Sequence, residues 1–420
     1  VSINRRLFLA AGALACPAVT AASPHVGGRP EPKRHGSVVP GADILAANSW
    51  RKLSGRRIGV LSNPTGVLSN HDHIVDSLVE AGLAPAAAFG PEHGFRGSAQ
   101  AGGSEGDYTD PRTGVPVYDV YGADSEKLAR LLKKAGVDTL VFDIADVGAR
   151  FYTYIWSMYT AMVAAARTGA SFVVLDRPNP VGGAAYGPML DPAYSSGVGR
   201  KPIVQQHGMT VGELAHHFDG EFLPADGDRL AELDVIKMRG WHRDLLFAET
   251  GLTWTPPSPN MPTPDTALVY PGTCLFEGTL LSEGRGTTRP FEIVGAPGID
   301  WRWREALESQ NLPGAVFREG YFVPTYHKFT GQTCGGVQVT VTRPGSFDAI
   351  RTAVAMLVTA RRLYPEVFGW REDHFIDKLT GSERFRTMVD AGAGTDEIVE
   401  SWRDELAKFQ RTRRPYLLYR

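Results

Sequence analysis

Apolar residues along this 420-residue chain come in short unbroken runs, each followed by a polar turn and then by a segment with apolar positions three and four residues apart. "RRIGVLSNPTG" reads as a strand entering a turn, and "NHDHIVDSLVEAG" after it sets Ile74, Val75, Leu78 and Val79 on one helical face. The same rhythm returns in "APAAAFGPEHG", in "VPVYDVYG" with the helix-like "DSEKLARLLKKAG", and in "VDTLVFDIADVGARFYTY" followed by "WSMYTAMVAAARTG". "SFVVLDRPNP" repeats the strand and its turn. Strands apolar at every position, alternating with helices, predict an α/β fold with a largely parallel sheet covered on both faces.

Beyond the proline-rich "TPPSPNMPTPDT" (255–266) the pattern changes. "GGVQVTVT" is strand-like, a helix is expected from Ser346 with Ile350, Val354, Leu357 and Val358 on one face, and a last helix carries Ile398, Trp402, Leu406 and Phe409. The expected division is an α/β domain over 41–262 and a smaller α+β domain over 263–420 that completes the cleft. Ahead of them stand an export signal (1–23) and a flexible leader (24–40). "NRRLFLAAGALACPAVTAAS" joins Arg5 and Arg6 to an apolar run ending in small residues, the pattern of a twin-arginine signal, so a periplasmic or secreted protein is expected. The run is too short for a comfortable membrane span, and Ala13 stands where a lipid-attachment site at Cys16 usually has Leu. Cleavage leaves Cys274 and Cys334, as one disulfide or as two core cysteines.

Composition narrows the class. Apolar residues are 43%, charged residues 21%, and the net charge is -2, which fits a globular protein and gives no footprint for nucleic acid. No G-x-G-x-x-G, P-loop or G-x-S-x-G occurs between a strand and a helix, so no nucleotide cofactor and no serine-hydrolase site is expected.

In open α/β sheets ligands bind outside the carboxyl ends of the strands. Here every such end is polar: Asn63 with Thr65, Glu92 with His93, Asp143 with Asp146 and Arg150, Asp176 with Arg177 and Asn179. Glu92, set among Gly90, Pro91 and Gly94, is the leading candidate for a general acid, with a structural glutamate bonded to loop amides as the alternative. His93 would polarise it, bind substrate or ligate a metal, but there is no His-Glu-x-x-His and no metal site is expected. Arg96 ends the same loop. Asp143 and Asp146 orient Arg150 or bind sugar hydroxyls, unless Asp143 is a buried acid paired with Arg177. Phe151, Tyr152 and Tyr154 stack on a sugar face or pack in the core. "QQHGMTVGELA" adds His207 ahead of a helix starting at Thr210. "LSEGRGTTRPFE" adds Glu283, Arg285, Arg289 and Glu292, whose charges either form a buried network or face a ligand. Carboxylates, arginines, amides and aromatics together are the inventory of a sugar-cleaving enzyme.

The motifs "LSNPTG", "GPEHGFRG", "FDIADVGARFYTY", "LDRPNP", "QHGMTVGELA", "PSPNMPT" and "YPGTCLFEGTLLSEGRGTTRPFE", in this order over about residues 56–420, resemble the bacterial exo-β-N-acetylmuramidase family of NamZ type. The resemblance implies a Rossmann-like catalytic domain without a dinucleotide, a smaller second domain, and an active-site cleft between them. It implies release of terminal N-acetylmuramic acid from the non-reducing end of peptidoglycan-derived muropeptides or disaccharides, without a cofactor. Glu92 corresponds to the acid of the family's Glu-His loop; Glu283, Glu292 or the substrate's own acetamido oxygen would act as its partner. The family's usual "FDIQDVG" has Ala145 here in place of the amide. Arg285 or Arg289 is expected to read the lactyl carboxylate of muramic acid, the alternative being that both pair with Glu283 and Glu292 at the domain interface. A non-catalytic muropeptide-binding protein and a hydrolase of another cell-wall bond are the competing classes.

Overall fold

The apolar runs of the first part become strands β1 (Ile58–Ser62), β2 (Ala87–Gly90), β3 (Tyr108–Thr109), β4 (Pro116–Asp119), β5 (Thr139–Asp143) and β6 (Ser171–Leu175). Every residue of β1, β5 and β6 is buried, because both faces of the sheet are covered. Successive residues serve opposite cores: Val60, Ala88, Val141 and Val173 pack with the helix Ile74–Glu80, while Leu61, Phe89, Phe142 and Val174 pack with the helices Ser125–Ala135 and Tyr154–Thr168. A hairpin of β7 (Tyr186–Met189) and β8 (Val204–Gln206) stands apart from the sheet, and β9 (Leu233–Ile236) closes one edge. The order is β3-β4-β2-β1-β5-β6-β9, parallel except for β3. Neighbours β1 and β5 are in register to their ends, Ser62 opposite Asp143, and their connections lead to opposite sides. That makes the crevice beyond them the switch point of the sheet.

The computed structural model describes residues 37–420, of which all belong to one compact unit. After the sheet comes a smaller part with the antiparallel strands β10 (Ile293–Ala296), β11 (Ala315–Phe322) and β12 (Cys334–Val341), β12 lying in the middle. Its helices Pro264–Thr273 and Ala349–Leu363 approach closely because Gly272 has no side chain; a Cβ there would strike the Ala349 carbonyl. One core runs through both parts, from Trp156 and Phe218 to Trp303 and Val354.

The segment 413–419 clasps the first part through hydrogen bonds. Arg413 donates to the carbonyls of His207 (2.6 Å), Gly208 (2.8 Å) and Gly183 (3.1 Å). The Leu418 N–H donates to Glu213 (2.8 Å), and the Tyr419 hydroxyl donates to Asp176 (2.5 Å) at the end of β6. Burial pushes the Asp176 carboxyl up to about 7, against the Tyr419, Gly212 and Thr210 hydrogen bonds it receives.

Several local expectations meet a different outcome. The helix expected from Ser346 begins at Ala349, because the Asp348 carboxylate accepts from the N–H groups of Ile350 and Arg351. The last helix is broken at Ser401 and Trp402 into Thr395–Glu400 and Arg403–Arg413. Residues 37–40, assigned to the leader, are packed: Val38 lies against Met238, Trp241 and Leu245, and Val39 pairs with Arg239. Cys274 and Cys334 are free and buried, with both thiols raised by burial. The export signal, Cys16 and the rest of the leader lie outside the described residues. Among the described residues no helix is long and apolar enough to cross a membrane.

Candidate active site

β2 delivers the loop 91–106 at the carboxyl edge of the sheet, and this loop needs left-handed backbone at His93 (φ 70°), Gly94 (φ 90°) and Gly97 (φ 82°). A Cβ on Gly94 would collide with the Glu105 carboxyl, so this glycine makes room for Glu105 rather than for a ligand. Glu105 accepts from the Ser98 N–H (2.9 Å) and hydroxyl (3.0 Å), the Arg96 N–H (3.2 Å) and the Tyr108 hydroxyl (3.1 Å). Burial opposes its charge, yet these donors hold its pKa below the usual carboxylate value. His93 is buried with Nδ1 3.0 Å from the Ala99 carbonyl, and Arg96 forks onto Asp76 (2.8 Å) and Asp110 (2.7 Å). Both residues build the loop.

Glu92 is thereby left facing open space. Its Oε1 accepts the Gly102 N–H (2.9 Å) and its Oε2 accepts the Thr153 hydroxyl (2.8 Å). It lines a cavity of about 320 Å³ together with Tyr121, Thr153, Trp156, Thr160, Val198 and Arg200, and it is the one carboxylate among the lining residues. The Gly102 N–H can only donate, whereas the Thr153 hydroxyl can turn to accept. Oε2 is therefore the oxygen able to hold and release a proton.

A second cavity, of about 120 Å³, opens at the switch point and is lined in part by Thr65, Ala145, Asp146, Arg177 and Trp254. Asn63 Oδ1 accepts from the Thr65 N–H (2.9 Å) and hydroxyl (2.6 Å), and Thr65 Oγ1 accepts the Ala145 N–H (2.8 Å). Asp146 Oδ2 accepts the Gly148 N–H (2.8 Å) and lies 3.0 Å from His207 Nε2. His207 Nδ1 accepts the Met209 N–H (3.2 Å), which assigns the imidazole proton to Nε2. Asp146 Oδ1 is buried without a hydrogen-bond partner, an acceptor suited to a ligand hydroxyl. Tyr152 feels both sites: burial raises its phenol well above the ordinary value, with Tyr154, Asp146 and Glu92 adding to the rise, and its hydroxyl is buried without a hydrogen-bond partner.

The remaining candidates are engaged elsewhere. Asp143 is fully buried and bound by Arg177 (2.5 and 2.7 Å), the structural pairing. Asn179 uses its oxygen on the Val181 N–H (3.1 Å) and its amide on the Met209 carbonyl (2.9 Å). Arg150 is fully buried and donates to the carbonyls of Pro188 (3.1 Å), Ile203 (3.2 Å) and Leu379 (2.5 Å); burial brings its pKa down to about 9. Glu283 is fully buried beside Lys328 (2.9 Å), His327 (3.1 Å) and Arg285 (3.3 Å). Burial opposes its charge, but His327 and Lys328 hold it down to about 2. Arg285 also pairs with Glu277 (2.5 Å), whose carboxyl is raised by burial and by the Glu283 charge, against Arg285. Arg289 pairs with Glu292 (3.1 Å), which also accepts the Thr266 hydroxyl (2.6 Å). Both arginines expected to read a carboxylate already hold one from the chain, and neither Glu283 nor Glu292 lines the Glu92 cavity.

Sequence reasoning missed Thr153, Glu105, Gly102 and Arg200. Thr153 stood inside "ARFYTY" as the one small polar group among aromatics, a usable signal; Arg200 ends the glycine-containing turn "SSGVGR" and had none. Among the described residues no group of three His, Cys, Asp or Glu side chains is gathered as for a metal ion.

The description "Exo-beta-N-acetylmuramidase NamZ, N-terminal" matches residues 58–265, and its C-terminal counterpart matches 268–419, the two meeting within the helix Pro264–Thr273. The chain is 45% identical over 404 residues to "Peptidoglycan beta-N-acetylmuramidase NamZ" of Bacillus subtilis (strain 168), covering 96% of each. Crystal structures of two DUF1343 family proteins from Bacteroides fragilis NCTC 9343 share the fold. One has a TM-score of 0.84 at 32% identity over 93% of this chain and 100% of its own. The other has a TM-score of 0.72 at 34% identity over 91% and 99%. Matched through both of its parts and along nearly its whole length, this chain belongs to the exo-β-N-acetylmuramidase NamZ family.

Proposed function

We propose that the protein is an exo-acting glycoside hydrolase that releases terminal N-acetylmuramic acid from the non-reducing end of peptidoglycan fragments, with Glu92 as general acid. The observation that carries this reading is the Glu92 carboxyl, held by Thr153 and Gly102 at the wall of a 320 Å³ cavity. That volume is at the low end of the roughly 300–1,000 Å³ of small-molecule sites, room for one sugar ring rather than a run of them, which suits removal of single end residues. Membership of the family supports the substrate.

In this reading Oε2 of Glu92 delivers its proton to the glycosidic oxygen as the bond to C1 breaks. With one carboxylate among the lining residues, the substrate's acetamido oxygen attacks C1 from across the ring. Water then opens that intermediate and returns a proton to Glu92. Glu92→Gln keeps the shape and removes the proton, so turnover on an unactivated disaccharide ending in N-acetylmuramic acid should fall roughly 10²–10⁴-fold at unchanged melting temperature. A chromogenic glycoside with a good leaving group should recover part of the loss. Near-normal turnover of the disaccharide by Glu92→Gln would remove Glu92 from the mechanism, and a wild-type protein that binds but cleaves neither substrate would make it a binding protein.

A further inference from the structure

We propose that Arg200 binds the lactyl carboxylate of the terminal muramic acid and thereby sets the preference for muramic acid over N-acetylglucosamine. The inference rests on the functional reading above and adds to it the residue that selects the sugar.

Arg200 lines the Glu92 cavity, and its fork makes a single hydrogen bond, from NH1 to the neutral Thr160 hydroxyl (2.7 Å). Among the described residues it has no ion pair. The three acids that line the neighbouring cavity with it are engaged by other groups: Asp226 by Lys201 (2.6 Å) and the Tyr159 hydroxyl, Asp228 by Arg167 (3.2 Å), and Asp124 by the Lys127 N–H (2.7 Å). Elsewhere arginines near the rim hold carboxylates, Arg96 two of them, Arg177 one, Arg285 two and Arg289 one. Arg150, held by carbonyls, does not line the Glu92 cavity. A half-buried guanidinium with four of its five donors unused presents a fork of the shape that carboxylates fit. Burial lowers its pKa, as expected of a cation without a counter-charge.

The placement fits a single sugar. Thr153 bonds Glu92, Thr160 bonds Arg200, and Trp156 and Ser157 lie between them at three- and four-residue spacing on one face of the helix Tyr154–Thr168. Seven residues of helix set the two anchors about 10 Å apart at 1.5 Å per residue. One pyranose ring fills that interval, with its glycosidic oxygen at Glu92 and the C3 lactyl group at Arg200, a hydrogen bond completing each end. The turn that presents Arg200 is fixed, since Ser196 and Gly199 exchange backbone hydrogen bonds (2.8 and 3.2 Å) and the Ser195 hydroxyl donates to the Arg200 carbonyl (3.2 Å).

The test compares wild type, Arg200→Ala and Arg200→Lys on an N-acetylmuramic acid glycoside and on the same glycoside with its lactyl carboxyl converted to the amide. Melting temperatures and calorimetric binding of free N-acetylmuramic acid are measured alongside. Arg200→Ala should lower kcat/KM on the acid about 10–100-fold, the scale of a charge-assisted hydrogen-bonded pair, and bring the acid-to-amide ratio close to one; Arg200→Lys should recover part of the ratio. An unchanged ratio in Arg200→Ala, or equal losses on both substrates with a lowered melting temperature, overturns the proposal and leaves Arg200 a residue that holds its turn. Should wild type cleave neither glycoside, the hydrolase reading fails instead, and binding decides for Arg200: affinity for the free acid lost in Arg200→Ala supports it, affinity retained overturns it.

Discussion

Replacing Glu283 by Gln is expected to destabilise the protein in a pH-dependent way rather than to stop catalysis. The carboxyl has no exposed surface and is surrounded by Lys328, His327 and Arg285. It titrates near 2 in the folded protein against an ordinary 4.5, which at about 1.36 kcal/mol per pKa unit corresponds to roughly 3 kcal/mol. Glu277 beside it is shifted the opposite way, raised by burial and by the Glu283 charge against Arg285, so the net contribution at neutral pH is smaller than this. Because the folded pKa is depressed, that stabilisation is fully present above about 4.5 and is lost as the pH falls toward 2. Thermal unfolding of wild type and Glu283→Gln, followed by circular dichroism between pH 3 and pH 8, reads the difference directly. For the unit His35–Arg420, an unfolding entropy of about 2.1 cal/mol/K per residue turns about 3 kcal/mol into a shift of at most about 4 °C at pH 7. The gap should narrow steadily below pH 4.5. A gap independent of pH would refute the ion-pair account, and lost turnover at an unchanged melting temperature would return Glu283 to the catalytic role its sequence context suggested.

The other expectations are more direct. Asp146→Asn replaces by an amide the acceptor bonded by Gly148 and His207 and puts a donor at the orphaned Oδ1 position; kcat/KM should fall about 10–100-fold if a substrate hydroxyl is bound there, and an unchanged kcat/KM would make the pair purely structural. Arg5→Lys with Arg6→Lys should leave the protein in the cytoplasm if export follows the twin-arginine route, a result read by cell fractionation; unchanged export that requires the Sec machinery would reject that route.

The sheet was legible because a parallel strand covered on both faces is apolar at each position, as β1, β5 and β6 are. Thr210 was legible as a helix start because its capping box is local, closing on Glu213 three residues later. What stayed hidden was set by distant partners. The Thr153 hydroxyl meets Glu92 across 61 positions, and the Lys328 amine that commits Glu283 to structure comes from 45 positions away. Arg285 stood out in its charged, glycine-rich segment and Arg200 did not; tertiary contacts give Arg285 the carboxylates of Glu277 and Glu283 and leave Arg200 with a hydroxyl. The break at Ser401 lies inside an unbroken helical period, so no local signal marked it.

The clasp by residues 413–419 ties the site to the order in which the chain is made. Asp176 must wait for 243 further residues before it meets Tyr419, and Gly183 and Arg413 are 230 positions apart. Until then the carbonyls of Gly183, His207 and Gly208 wait for a donor, and a carboxyl at the end of a central strand waits for its hydroxyl. His207 is the residue that holds Asp146. Nascent chains and fragments that stop short of Arg413 lack the donors that these carbonyls and the Asp176 carboxyl receive, so the support behind the Asp146–His207 pair is completed only by the far segment.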